Sequence, residues 1–284
     1  MPVPTDDRPG AGNRPSHRSR WVAVVAPIVL VVALGVGAFV AFGDSGPSGF
    51  SSASAASIAL FAAAQNSGSF HYAGRTTGSE GGTVVTANVS GDAGRTEGIQ
   101  YLTSNVATYE VIVINSSAYM KPDINALENQ FGYPASVAAT YANRWIALTP
   151  SDAPYKGVAE GVTSGSDWDD ASHSPVDSAA HTPQSVSPVA TVNGRSLQTV
   201  TYSMSGAGQG SSGGRFAGHE RIVFNATAPH VPYSVTQHLA GTADRSPATN
   251  DVVATFSNWG EPVSVTAPSG AIPFSSLPPV PTSA

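Results

Sequence analysis

Apolar and polar positions along the chain change their period four times, and each change predicts a change of element. Trp21 to Phe42 is an uncharged apolar run of 22 residues. Ala55 to Asn66, "AASIALFAAAQN", is Ala-rich, carries Ile58, Leu60 and Phe61, and follows Ser54 as an N-cap, which predicts a helix. From Ser69 the period becomes two. The runs "SFHYAGRTT", "GTVVTANVSGD", "RTEGIQYLTS", "ATYEVIVINSS" and "SAYMKPD" are separated by Gly, Ser and Asn turn signals. Spacing this tight leaves no room for crossover helices, so the strands form an antiparallel meander rather than a parallel sheet. "INALENQFG" and "ASVAATYANRW" return to helical spacing through Ile124, Leu127 and Phe131, then Val137 and Tyr141, and predict a helical hairpin broken at Gly132 and Pro134.

"RWIALT" is strand again, and Pro150 to Pro188 is expected to be a long polar loop with an acidic knot at Asp167, Asp169 and Asp170. Strands resume at "VATVNGRSLQTVTYSMS", where Asn193-Gly194 is a strong hairpin signal. They continue through "HERIVFNATAPHVPYSVTQHLA" to "NDVVATFSNWGEPVSVTAP". In the last stretch Val252, Ala254 and Phe256 share one face, with Val253, Thr255 and Ser257 on the other. Val263 and Val265 alternate with Ser264 and Thr266 in the same way, which predicts a second strand after a Trp259-Gly260-Glu261-Pro262 turn, the pair forming the closing edge of the sheet. A sheet with one apolar face needs cover. The segments around Ile58, Leu127 and Val137 are the ones available.

The first apolar run is long enough to cross a hydrocarbon layer of roughly 30 Å, at about 1.5 Å per residue. Arg8, Arg14, Arg18 and Arg20 precede it, and this excess places the amino terminus in the cytoplasm and the rest of the chain outside. A cleaved signal peptide is the competing reading, with Ala53-Ser54-Ala55 as a late site. The expected organisation is a basic cytoplasmic tail at 1–20, a transmembrane signal-anchor helix at 21–42, a Gly/Ser/Pro linker at 43–54, an extracytoplasmic domain at 55–276 and a disordered tail at 277–284.

Composition narrows the function further. Charged residues are 11% of the chain, against roughly 25% in an ordinary globular protein. From Ser45 onward 9 Lys and Arg face 16 Asp and Glu, and no basic cluster follows Arg20, which argues against nucleic acid as a partner. Zero cysteines exclude disulfides, thiolate metal sites, cysteine nucleophiles and a lipidated N-terminal Cys. Seven histidines show none of the helical i, i+4 spacing of zinc enzymes, and the acidic knot lacks the glycine and terminal Glu of an EF-hand. The Gly208–Gly214 segment matches G-x-G-x-x-G and G-x-S-x-G, but inside a Gly/Ser-rich loop between strands, where neither has its required context. No cofactor, metal or catalytic residue is expected.

The Ala-rich helix, "SFHYAG", "SAYMKPD", "NRWIALT" and above all "TFSNWGEPVSVTAP" resemble the mycobacterial lipoproteins of the LppX/LprG type and their actinobacterial relatives. The resemblance implies an α+β, LolA-like fold: a strongly curved antiparallel half-barrel with helices on its concave face and a cavity for acyl chains of envelope lipids. Here a transmembrane anchor stands in place of the lipidated Cys. The expected function is therefore a membrane-anchored, extracytoplasmic lipid- or amphiphile-binding protein of the cell envelope that assists lipid transport and is not an enzyme. Expected lining residues are Ile58, Phe61, Ile124, Leu127, Phe131 and Val137. The alternative is an envelope module without a ligand, structural or protein-binding.

Overall fold

The computed structural model describes residues 49–159, 161–164, 182–207, 215–243 and 246–280. The basic tail, the apolar run 21–42, the first half of the linker, the acidic knot and the glycine loop 208–214 lie outside these residues. Among the described residues no helix is long and apolar enough to cross a membrane.

Helix α1 (Ala53–Ser67) opens the fold. It starts two residues before the sequence expectation because Ser52, in extended conformation, accepts a hydrogen bond from the Ala55 amide, and it ends at Gly68 with φ 72°. Six strands follow: β1 (Phe70–Glu80), β2 (Thr83–Ala93), β3 (Glu97–Ser104), β4 (Thr108–Ile114), β5 (Ser117–Pro122) and β6 (Ile146–Leu148). Between β5 and β6 the expected helical hairpin is reduced to a π-helical turn (Ala126–Gln130) and a short α2 (Ala135–Tyr141). The Asp123 carboxylate accepts the Ala126 amide at 2.7 Å and starts the turn.

Where a loop was expected from Pro150 to Pro188, the described residues include α3 (Tyr155–Ala159) and β7 (Thr182–Val186). β8 (Ala190–Val192), β9 (Arg195–Ala207), β10 (Arg215–Asn225), β11 (Pro232–Ala243), β12 (Ser246–Ser257) and β13 (Ile272–Pro273) complete the set. Asn193 and Gly194, at φ 51° and 76°, make the β8–β9 hairpin turn that the dipeptide predicted.

All strands join one open, curved sheet in the order β13-β6-β5-β4-β3-β2-β1-β12-β11-β10-β9-β7, with β8 paired to β9. Every pairing is antiparallel except β13 with β6, as the meander pattern required. Close approaches need glycine at two points on β2 and β3. A Cβ at Gly91 would stand 2.7 Å from the Tyr72 hydroxyl, and at Gly98 it would collide with the carbonyl of Val162.

The carboxy-terminal expectation needs correcting in two respects. β12 is not an edge: it lies in the interior of the sheet between β1 and β11. Residues 261–268 form no strand. From β12 the chain must pass β1 to β6 to reach β13, about 34 Å at roughly 4.8 Å per strand. Asn258 to Ala271 can span about 46–50 Å fully extended, so this segment can cross the six strands as a strap with slack for the turns at Gly260 and Gly270.

The turn that launches the strap is held from three sides. The Trp259 indole N–H donates to the Pro232 carbonyl at 2.9 Å, and the ring packs 4.9 Å from Phe70 and 5.9 Å from Phe256. Gly260 N–H donates to the Ser69 carbonyl at 3.0 Å, and the Ser69 hydroxyl donates to the Glu261 carbonyl at 2.6 Å. Val263 and Val265 are partly buried while Ser264 and Thr266 are exposed. The alternation in the sequence thus records burial without a hydrogen-bonded ladder.

Candidate functional site

The two faces of the sheet differ in kind. Among the described residues, one face carries the helices and both hydrophobic cores, because inward positions along the strands keep a strict period of two. Val200, Ile222, Val235, Ala254, Gly74, Val89 and Leu102 stand in register across seven neighbouring strands and form an apolar row. Two residues further along the strands lies a more polar row: Tyr202, Glu220, Gln237, Val252 and Thr76. Glu220 is 0% exposed, and Gln237 donates its amide to the carboxylate at 3.2 Å. The Thr76 hydroxyl donates to Asn250 at 3.1 Å. Tyr202 donates to the Ser57 hydroxyl of α1 at 2.9 Å, and burial pushes its phenol well above the usual tyrosine range.

Two cores occupy this face. In the first, Leu60, Phe61 and Ala64 of α1 pack on Phe70, Tyr72, Val200, Ile222, Phe224 and Phe256. The second gathers Leu127, Tyr133 and Ala138 with Val111, Met120, Ile146, Leu148 and Leu277. Between them Gln100 donates to the Tyr72 hydroxyl at 2.8 Å and to the Gly161 carbonyl at 3.3 Å. The Ser164 hydroxyl donates to the Gly68 carbonyl at 2.8 Å. Val85, Ala87, Leu102, Met204 and Ala248 are buried without belonging to either core.

The six expected lining residues do not meet in one place. Phe61 lies in the first core, and Ile58 is half-buried on the same helix. Leu127 lies in the second core, with Phe131 and Val137 packed partly buried against it. Ile124 is 40% exposed and belongs to neither. Sequence reasoning missed the polar row, although its signal was present: Glu220 falls in the same alternation as Ile222 and Phe224, so a carboxylate occupied an inward position.

On the opposite face the strap and the sheet enclose a partly open pocket of about 250 Å³. Its walls include Phe70, His71, Asp92, Ile99, Glu261 and Val263. His71 Nδ1 lies 2.8 Å from Asp92 Oδ1. Among the described residues no group of three or more His, Asp or Glu is arranged to hold a metal ion.

No protein-family model and no curated protein sequence matches the chain. Among solved structures it is similar to the lipoprotein LppX of Mycobacterium tuberculosis, at 17% identity and a TM-score of 0.44, over 75% of this chain and 98% of that one. A DUF1329 family protein from Desulfovibrio piger is similar at 10% identity and a TM-score of 0.27, over 76% and 96%. A putative outer membrane lipoprotein-sorting protein domain from Vibrio parahaemolyticus is similar at 7% identity and a TM-score of 0.24, over 73% and 94%. At these identities and TM-scores the likenesses assign neither a family nor a ligand to this chain.

Proposed function

We propose that this protein binds an amphiphile, an envelope lipid in class, on the helix-covered face of its sheet, outside a membrane to which residues 21–42 anchor it. One observation supports the reading above the others. The same face carries an apolar row across seven strands beside a polar row built on Tyr202, Glu220, Gln237 and Thr76. Acyl carbons belong on the first row, and a headgroup rich in hydrogen-bond donors belongs against the carboxylate and amide of the second. No covalent step is part of this function. In this reading the LolA-like half-barrel opens by movement of α1, an Ala-rich helix whose contact with the sheet includes a single hydroxyl pair, Tyr202–Ser57, at its polar edge.

The number of methylenes buried sets the affinity. Each methylene removed from water contributes about 0.8 kcal/mol, so ten contribute roughly 8 kcal/mol before the losses of association. After an association cost of about 4 kcal/mol, the remaining ~4 kcal/mol corresponds to a dissociation constant on the order of 1 mM, and each further buried methylene tightens it by about four-fold. The test is native mass spectrometry, with organic extraction, of the full chain purified from its own membrane. A stoichiometric lipid is expected, with affinity for added fatty acids rising through the C10, C12 and C14 chain lengths. Protein that is reproducibly empty and indifferent to chain length would refute the proposal and favour an envelope module without a ligand.

A further inference from the structure

The face of the sheet opposite the helices carries a second constellation, apart from the strap pocket. His219 of β10 and His238 of β11 are direct cross-strand partners, and Asp251 of β12 is the next partner in the same register. The two imidazole rings stand 5.7 Å apart between centroids. His238 Nδ1 lies 2.6 Å from Asp251 Oδ1. The carboxylate accepts and cannot donate, so Nδ1 is the donor nitrogen of this pair, and in the neutral imidazole that a metal requires Nε2 is the nitrogen left to ligate. Both side chains of that pair are about half exposed, at 45% and 53%.

We propose that His219 and His238 form a two-imidazole chelate for a borderline transition cation, Zn²⁺ or Cu²⁺ in class, with Asp251 as the positioning residue. Imidazole nitrogen suits these ions, whereas Ca²⁺ and Mg²⁺ require cages of oxygen ligands that the described residues of this face do not offer. The geometry is close to what binding needs. With metal–nitrogen bonds of about 2.0–2.1 Å and a tetrahedral angle, two ring centroids stand about 5 Å apart. The observed 5.7 Å is close to that separation, and the strands already hold the two side chains as direct cross-strand neighbours. Carboxylate support of one imidazole is the arrangement that fixes tautomer and ring orientation at metal sites. Water completes the coordination. Arg221 and Arg75 stand one row away on this face and lower the affinity for any cation, which sets the site apart from charge-driven binding.

His71 and Asp92 supply an internal control, since they form the same imidazole–carboxylate pair without a cross-strand histidine: the register partners of His71 are Asp92 and Ser257. Zn²⁺ is titrated into the full chain by calorimetry, and into His219→Ala, His238→Ala, Asp251→Asn and His71→Ala. The expected result is a saturable site in the parent chain that disappears in both His219→Ala and His238→Ala, weakens by about 10-fold or more in Asp251→Asn, and is unchanged in His71→Ala. Absence of a saturable site, or a site that survives either of the first two substitutions, would overturn the chelate. Equal affinity in Asp251→Asn would overturn the positioning role. All four side chains are exposed or half-exposed, and unchanged far-ultraviolet circular dichroism confirms that each variant is folded.

Discussion

Leu60→Ala probes the attachment of α1 most directly. Leu60 is 0% exposed and stands on α1 with Ala56 and Ala64 one turn before and after it. Removing three carbons forfeits about 2.4 kcal/mol of transfer free energy at roughly 0.8 kcal/mol per carbon. Alanine neighbours on the helix cannot lean into the hole, so the cavity adds about 1–2 kcal/mol, and the expected loss of about 3.5–4.5 kcal/mol lies high in the range for such substitutions. Urea unfolding of the full chain in detergent, followed by tryptophan fluorescence, measures it. Leu148→Ala, in the second core, is expected to cost a similar amount and to add to Leu60→Ala within about 0.5 kcal/mol, because the two sites share no partners. A loss below about 1 kcal/mol for Leu60→Ala would refute the docking of α1 as a core element. Strong non-additivity would refute the separation of the cores. Under the proposed function an added amphiphile fills part of the cavity and recovers part of the loss.

Other substitutions test the parts that position this face. Trp259→Ala removes a ring packed between Phe70 and Phe256 together with its bond to the Pro232 carbonyl, and a loss of about 3–5 kcal/mol is expected in the same unfolding assay. Gly194→Ala forces a side chain onto a residue at φ 76° in a two-residue turn, for a loss of about 1 kcal/mol that thermal unfolding detects. Alkaline pH weakens the fold with a defined sign. Burial raises the phenols of Tyr202 and Tyr109 in the folded chain, while unfolded tyrosines ionise near pH 10. The folded state therefore holds its protons longer, and stability that is complete below about pH 10 declines as pH rises beyond it. Tyr202→Phe should flatten that decline, measured as denaturation midpoint against pH.

Much of this architecture was legible because strands announce themselves through burial. Val252, Ala254 and Phe256 face the core and Val253, Thr255 and Ser257 face away, as their alternation indicated. The same signal misled at Val263 and Val265, since a strap lying on a sheet buries every second residue just as a strand does. Pairing, which separates the two, depends on the rest of the fold. β7 was invisible for the opposite reason: "TPQSV" has little strand propensity, and β9 recruits it as an edge where Pro183 is tolerated. At the candidate site, the helix spacing correctly marked Phe61 and Leu127 as inward but carried no information about distance, and they belong to different cores. The polar row is assembled from five positions on β9, β10, β11, β12 and β1, so only the register reveals it.

The strand order also has a seam. Within β1 to β6, and again within β9 to β12, neighbours in the sheet are neighbours in the chain, but at the centre β1 lies against β12 with Tyr72 opposite Phe256. During synthesis the first strand therefore keeps one side unpaired until the twelfth emerges, and the strap that closes over this junction is made later still. The two halves are local meanders that form quickly, and their union is the slow, long-range event. A chain cut anywhere before β12 loses the join at its centre, so the last strands to be made govern whether the two early meanders become one sheet.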